Sequence, residues 1–555
     1  MKVNDRMPDV LSPEKDDRIR EYLTPCRVVE KSTNVFDADD LLIERTGQVT
    51  LGDTELCVLR GPGAYVLLDF GVEFSGGVKI SVSNVRNDAH RADIRVRFGE
   101  SAMEALTPLG EKNATNDHAN REMIMNVGPL SSNETNESGL RFVYIEMLSE
   151  GDVAIKTVHG VFVHRDLEWR GDFECSDGRL NKIWNTAAYT VFLNMQNYLW
   201  DGIKRDRLVW AGDLNTEIRT VLAVFGENDI VKRSLDLVRD TTPEGGWINN
   251  ISSYSMWWII NQYEWYVASG DKAYLAAQRE TLHDILNRLV SSVGDDGREE
   301  LMRTGRFLDW QSSSNVRAVH AGLQALLKIS IEYGAKLCDL LGDDILEQKC
   351  LDCLRRMARY VPSPAGSKQA AALLALSGMR SAEDINTNAL TPGGVHGYST
   401  FFGYYILKTK GEAGDIAGAL DDIREYWGGM LDMGATTFWE DFDIDWPKGS
   451  FRIDELPRGH LRDIHGDRGD YCYKGFRHSL CHGWASGPCP FLSEYVLGVR
   501  QLSHDTFKID PILGDLEWMR GKYPTAFGEI EIEAEMRGYR PAVKVKVPKG
   551  VKIKK

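Results

Sequence analysis

The chain has 555 residues, 43% of them hydrophobic, with a formal net charge of −16 and a pI near 5.3. That length allows two or three domains with sizeable cores. The acidic balance excludes nucleic acid and anionic membrane as partners, since both would be repelled over most of the surface. A neutral small molecule or glycan fits better.

The opening Met1-Lys2-Val3-Asn4-Asp5-Arg6 leads into a polar segment without an apolar h-region. No stretch approaches 18 uninterrupted apolar residues. A cytoplasmic location and no membrane span are the expectations. The first 165 or so residues read as strands: Tyr65 to Phe70, Val78 to Val82, Ala92 to Phe98, Leu140 to Leu148 and Val153 to Val163 are short, rich in Val, Ile, Phe and Tyr, and separated by Gly, Asn and Asp clusters. They predict an N-terminal β-sandwich over 1–170. Glu104 to Glu137, with Asn113, Asn116, Asn120 and Asn133, reads as a long polar excursion from it.

From about Ser176 the period becomes helical, in Leu180 to Leu199, Asn228 to Arg239, Trp257 to Ser269, Tyr274 to Val290, Val316 to Leu341, Ile345 to Tyr360, Gly397 to Lys408 and Ile416 to Trp427. Helical hairpins in series without a fixed-length repeat favour a closed α/α barrel over a solenoid, spanning 171–500. Strand character returns in Gly528 to Met536 and Val543 to Val551, a small β-domain over 501–555 whose Lys-Val-Lys-Val run suits an edge strand. Nine cysteines from Cys26 to Cys489 lack disulfide spacing and favour a reducing compartment. The isolated Cys350/Cys353 pair has no partner motif that would complete a metal or redox site.

The chemistry concentrates in Trp200 to Asp213, where Asp201, Asp206 and Asp213, Lys204, Arg205 and Arg207, and Trp200 and Trp210 crowd into one short stretch. Sugars have hydroxyls that want charged partners and an apolar ring face that wants an indole, and cleaving their acetal link requires paired carboxyl groups. If the stretch is helical, Asp206, Trp210 and Asp213 share a face that Glu217 continues. The bland alternative is an exposed set of ion pairs, which the flanking indoles argue against. All tryptophans except Trp169 and Trp518 lie between Trp184 and Trp484. Trp184 and Trp265 occupy core-like helical positions, whereas Trp210, Trp310, Trp439 and Trp484 sit in loop-like polar contexts that suit sugar stacking. The second carboxylate is Glu440, presented by Gly434-Ala435-Thr436-Thr437-Phe438-Trp439-Glu440.

Together the Asp201 to Asp213 motif, the Gly434 to Glu440 motif, the stretch Ser479-Leu480-Cys481-His482-Gly483-Trp484 and the element Phe307-Leu308-Asp309-Trp310 resemble the α-L-rhamnosidases of glycoside hydrolase family 78. The resemblance implies a multidomain α and β architecture: an (α/α)6-barrel catalytic domain flanked by an N-terminal β-sandwich and a small C-terminal β-sandwich domain. It implies Asp206 as general acid and Glu440 as general base of an inverting hydrolase that removes terminal α-L-rhamnose. Asp201, Arg205, Trp210, Asp213, Asp309, Trp310, Trp439, His482 and Trp484 become the sugar-binding residues. Many family members carry Glu where Asp206 stands, so Asp201 and Asp213 remain alternatives for the acid.

An inverting pair is set about 6.5 to 9.5 Å apart so that a water fits between base and anomeric carbon. Asp206 has to hold a proton near neutral pH, so Arg205 and Arg207 are expected to face Asp201, Asp213 or the sugar rather than the acid. No cofactor or metal is expected. His478 and His482 have an i, i+4 spacing but lack an H-E-x-x-H pattern. The expected partner is a rhamnose-containing glycoside or oligosaccharide, with a homodimer left open. Another exo-acting α/α-barrel glycosidase, such as an unsaturated glucuronyl hydrolase, and a non-catalytic carbohydrate-binding protein are the competing readings.

Overall fold

The computed structural model describes residues 16–302, 305–538 and 540–554; the first fifteen residues, including the opening stretch read above, lie outside it. The N-terminal region is a ten-stranded sheet. Its centre is the long strand Tyr65–Arg86, which pairs antiparallel with Arg27–Lys31, Ser131–Glu134, Ser138–Met147 and Asp152–Arg165. The two sequence runs from Tyr65 and from Val78 are halves of this one strand, joined through Gly76. There φ is 146°, and a Cβ would fall 1.8 Å from the Val161 carbonyl oxygen, so the close approach requires glycine.

The polar excursion is shorter than its composition suggests. It contains helix Ala102–Leu106, capped by Ser101, and the strands Glu122–Val127 and Ser131–Glu134, which leaves 107–121 as loop. Glu122–Val127 ends the sheet beside Ala92–Gly99, and an edge strand exposes one side to water, which explains its polar sequence.

The helices of the middle region are Gly178–Asn194, Leu214–Val224, Asp229–Asp240, Ser252–Ser269, Lys272–Ala277, Arg279–Ser291, Val316–Leu341, Asp344–Met357, Lys368–Leu376, Gly403–Glu412 and Ile416–Asp432, with shorter turns between them. Asp177, Asn228, Asp271, Asn315, Asp343, Ser367 and Asp415 each accept a backbone N–H at a helix start, and Gly270 and Gly342 close two helices in the left-handed conformation. Val316–Leu341 packs against its successor Asp344–Met357 and, across two intervening helices, against Ser252–Ser269. Trp184 and Trp265 are core residues, 1% and 2% exposed. The nine cysteines are all free thiols.

At the C-terminal end Trp518–Thr525, Gly528–Arg537 and Arg540–Lys546 form a sheet that captures Asp172–Cys175, the strand leading into the first long helix. A three-stranded sheet joins Val499–Ser503, Thr506–Ile509 and Lys552–Lys554. The Lys-Val-Lys run lies on the edge strand, where Lys544 and Lys546 pair with Glu533 and Glu531. Among the described residues no helix is long and apolar enough to cross a membrane.

Candidate active site

The stretch from Trp200 to Asp213 is not a helix; it is an ordered loop running into helix Leu214–Val224. Asp201 folds it. One carboxyl oxygen accepts the Leu208 N–H and the other the Asp206 N–H, both at 3.0 Å, turning the loop around a buried side chain. Gly202 bridges to His482, and Gly483 N–H donates to the Asp201 carbonyl at 2.8 Å, which ties the loop to 478–484. Burial pushes the Asp201 carboxyl up to about 7, with Asp206 and Asp213 acting in the same direction.

Lys204 anchors the loop from below. Its ammonium lies 2.8 Å from Glu100 and 3.2 Å from Glu104 of the N-terminal region, and donates to the carbonyls of Phe476 and His478. This leaves Arg205 facing the other way. Its Nη1 donates to Asp206 Oδ1 at 2.7 Å, its Nη2 lies 2.8 Å from both oxygens of Glu440, and its Nε donates to the Arg477 carbonyl at 2.6 Å. The arginine expected to avoid the acid therefore binds it. One planar guanidinium holds the two carboxylates, because a fork of fixed N–H donors satisfies both only when each lies at one end of it. Arg207 does turn away: φ is 61°, its guanidinium covers the Trp200 ring at 4.7 Å, and it donates to the Glu137 carbonyl.

Glu440 is 5% exposed and held at three points: by Arg205, by the Ser479 N–H on Oε2 at 3.1 Å, and through its carbonyl, which accepts from Thr400 Oγ1 and Trp484 Nε1. Trp484 stacks on Phe401 with centroids 4.7 Å apart. Asp213 takes the Tyr254 hydroxyl and His482 Nε2, each at 3.2 Å. Burial raises its carboxyl. Burial alone would lower His482, but Glu440, Asp213 and Asp201 outweigh it and hold the imidazole above its ordinary value.

These groups surround a cavity of about 180 Å³ lined by Asp201, Arg205, Asp206, Trp210, Asp213, Trp310, Glu440, His482 and Trp484, together with Ile251, Tyr254, Phe307 and Cys472. Two expected sugar contacts do not line it. Trp439 is 1% exposed and packs edge-on against Phe442 and His478, so it buttresses the Glu440 loop from inside. Asp309 is buried, accepting Ser312 N–H and Ser399 Oγ, and fixes the turn that presents Trp310. Glu217 also lies off the cavity, against Gly483, where any Cβ would fall 1.8 Å from its Oε1. Burial raises its carboxyl strongly.

Sequence reasoning missed Tyr254 and Ile251, which sit at the start of an apolar helix that reads as core. Phe307 belongs to the quoted aromatic element, but its neighbour Asp309 drew the attention. His478 and His482 are not on a common helix: His478 Nε2 accepts the Asp441 N–H and His482 pairs with Asp213. Two carboxylate-histidine groups are close enough to chelate a cation, Asp201/Asp213/His482 and Glu100/Glu104/His465. In the second, the Lys204 ammonium already supplies the positive charge. In the first, each Asp201 oxygen already accepts one backbone N–H, and Asp213 is paired with His482 and Tyr254.

Residues 168–342 match the family model described as the bacterial alpha-L-rhamnosidase six-hairpin glycosidase domain. An alpha-L-rhamnosidase of Streptomyces avermitilis is 26% identical over 447 residues, covering 74% of this chain and 42% of that protein. One of Formosa agariphila is 24% identical over 279 residues, covering 46% and 28%. The chain thus spans less than half the length of these curated relatives. Among solved structures, the GH78 family rhamnosidase of Bacillus sp. GL1 superposes with a TM-score of 0.73 at 20% identity, covering 93% of this chain and 55% of that one. The rhamnosidase from Klebsiella oxytoca with rhamnose bound does so with 0.70 at 20% identity, covering 86% and 96%. The chain is therefore similar to α-L-rhamnosidases in sequence, matches the model of their six-hairpin glycosidase domain over residues 168–342, and shares the fold of solved rhamnosidases.

Proposed function

We propose that the protein is an inverting α-L-rhamnosidase whose helical region is an (α/α)6 barrel, with Asp206 as general acid and Glu440 as general base. The observation that carries this reading is the bridge made by Arg205 between two carboxylates in one aromatic-walled cavity. Two hydrogen bonds and the width of a guanidinium set an upper limit of about 8 Å on the separation of the held oxygens, close enough for both carboxyl groups to reach one sugar ring.

The two acids are held differently, as their roles require. Glu440 receives Arg205 Nη2 on both of its oxygens and a backbone N–H, which fix the orientation of its carboxylate. Asp206 is held through Oδ1 alone, so Oδ2 is the oxygen that carries a proton. In the reaction Asp206 gives that proton to the departing glycosidic oxygen as the bond to the anomeric carbon breaks. Glu440 takes a proton from the water whose oxygen attacks the opposite face of the ring. Asp213, His482 and Tyr254 offer hydrogen-bond partners for ring hydroxyls. Ile251, Phe307 and Trp310 form an apolar wall suited to the methyl group of a 6-deoxy sugar.

The test is a panel of 4-nitrophenyl glycosides. Release from the α-L-rhamnoside alone is the expected result, lost by a factor of about 10² to 10⁴ in Glu440→Gln on this substrate and in Asp206→Asn on an alkyl α-L-rhamnoside, whose leaving oxygen needs the proton. Release from a different glycoside, or rhamnosidase activity that survives both substitutions, contradicts the reading.

A further inference from the structure

The acid is reached from outside the helical region. Loop 107–121 of the N-terminal region is fastened to the segment that leads into the Glu440 clamp: Phe476 N–H donates to the Lys112 carbonyl at 3.0 Å, Asn113 donates to the Lys474 carbonyl, Lys112 pairs with Asp467, and Asp117 pairs with Arg477 at 2.8 Å. Its tip carries His118 in the left-handed region, φ 65°, a conformation that costs a non-glycine residue energy and that the anchored loop imposes. His118 Nε2 lies 3.1 Å from Asp117 Oδ1 and 3.6 Å from Asp206 Oδ1. The ionised Asp117 oxygen only accepts, so Nε2 carries a hydrogen.

We infer that His118 is a positioning residue for the general acid: with substrate bound its Nε2–H turns from Asp117 to Asp206 Oδ1, which Arg205 Nη1 already holds, so that the acid's proton sits on Oδ2 and faces the leaving oxygen. This inference rests on the rhamnosidase reading and on Asp206 as its acid. An oxygen that accepts two donors is the poorer site for a proton, so the proton that the acid delivers sits on Oδ2. Arg205 alone does not set the rotation of the carboxyl about its bond to Cβ; a second donor from a different direction does. The gap of 3.6 Å is longer than a hydrogen bond, and the inference requires a side-chain rotation that brings Nε2 from Asp117 to Asp206 when substrate binds. Asp206 is one methylene shorter than glutamate. It therefore reaches less far toward the leaving group, and correct aim of its single free oxygen matters more.

A residue that aims the acid matters in proportion to how much protonation the leaving group needs. Steady-state kinetics of His118→Ala and His118→Gln on 4-nitrophenyl and alkyl α-L-rhamnosides read this directly. His118→Ala is expected to lose about tenfold more kcat on the alkyl substrate than on the nitrophenyl one, one well-placed hydrogen bond's worth, with KM little changed. His118→Gln, which keeps an N–H donor, is expected to restore most of that difference. Equal losses on both substrates, or no loss on the alkyl one, would overturn the assignment and leave the rhamnosidase reading intact. A wild-type protein inactive on both would overturn that reading itself, and this inference with it.

Discussion

Arg205 is the residue on which the site turns. It is 3% exposed, and the carboxylates of Glu440 and Asp206 more than offset the cost of its burial. Arg205→Lys keeps the charge but replaces a planar fork with a point donor that cannot serve both acids. We expect kcat to fall about 10²-fold or more, with the folded state retained in circular dichroism; wild-type kcat in this variant would show the bridge to be dispensable. Asp201 gives a pH dependence. Its folded value near 7 stands above the ordinary 3.8, so the stability it contributes is fully present below 3.8 and is lost as pH rises through 7. By pH 8 the loss approaches about 4 kcal/mol. The melting temperature should fall between pH 5 and 8, and less steeply in Asp201→Asn, which has no proton to lose; parallel profiles would refute the assignment. At this scale the sequence made the density of charge and indole legible, but not its directions. Nothing in the order of Lys204, Arg205 and Asp206 says that the first faces Glu100 and the second Glu440. The fold of the loop around Asp201 decides that.

Elements were legible wherever a period was. The amphipathic helices Asp229–Asp240 and Val316–Leu341 lie within a residue of the expected bounds. Lys368–Leu376 was missed because seven of its nine residues are buried, so it shows no polar face, and Leu214–Val224 was hidden behind the charged loop that precedes it. The connection between the N-terminal sheet and the catalytic loop was not legible at all, since it runs through single buried residues far apart in the chain. Lys204, Glu100 and Glu104 form it. Burial raises the Glu100 carboxyl to about 7 even though Lys204 opposes the shift. Removing the ammonium leaves buried acids unpaired, so Lys204→Met should cost about 3 to 5 kcal/mol in urea unfolding, and Glu100→Gln in the same chain should recover part of it. A Lys204→Met protein of unchanged stability would mean that the two regions are not coupled through this cluster.

On the scale of the whole molecule, the β, α, β order could be read from the change of period along the chain, whereas the traffic between regions could not. The strand Asp172–Cys175 joins the C-terminal sheet, and loop 107–121 of the N-terminal region reaches Asp206. The N-terminal region therefore adjoins the cavity: Glu100 and Glu104 pair with Lys204 of its loop, and His118 lies 3.6 Å from Asp206. In the proposed reaction Asp206 and Glu440 act from opposite sides of one sugar ring. The most direct measurement is proton NMR of the first product released from an aryl α-L-rhamnoside, taken before mutarotation. β-L-Rhamnose as the first-formed anomer is the predicted result; α-L-rhamnose first would mean a covalent intermediate and would contradict the arrangement of acid, base and water proposed for this site.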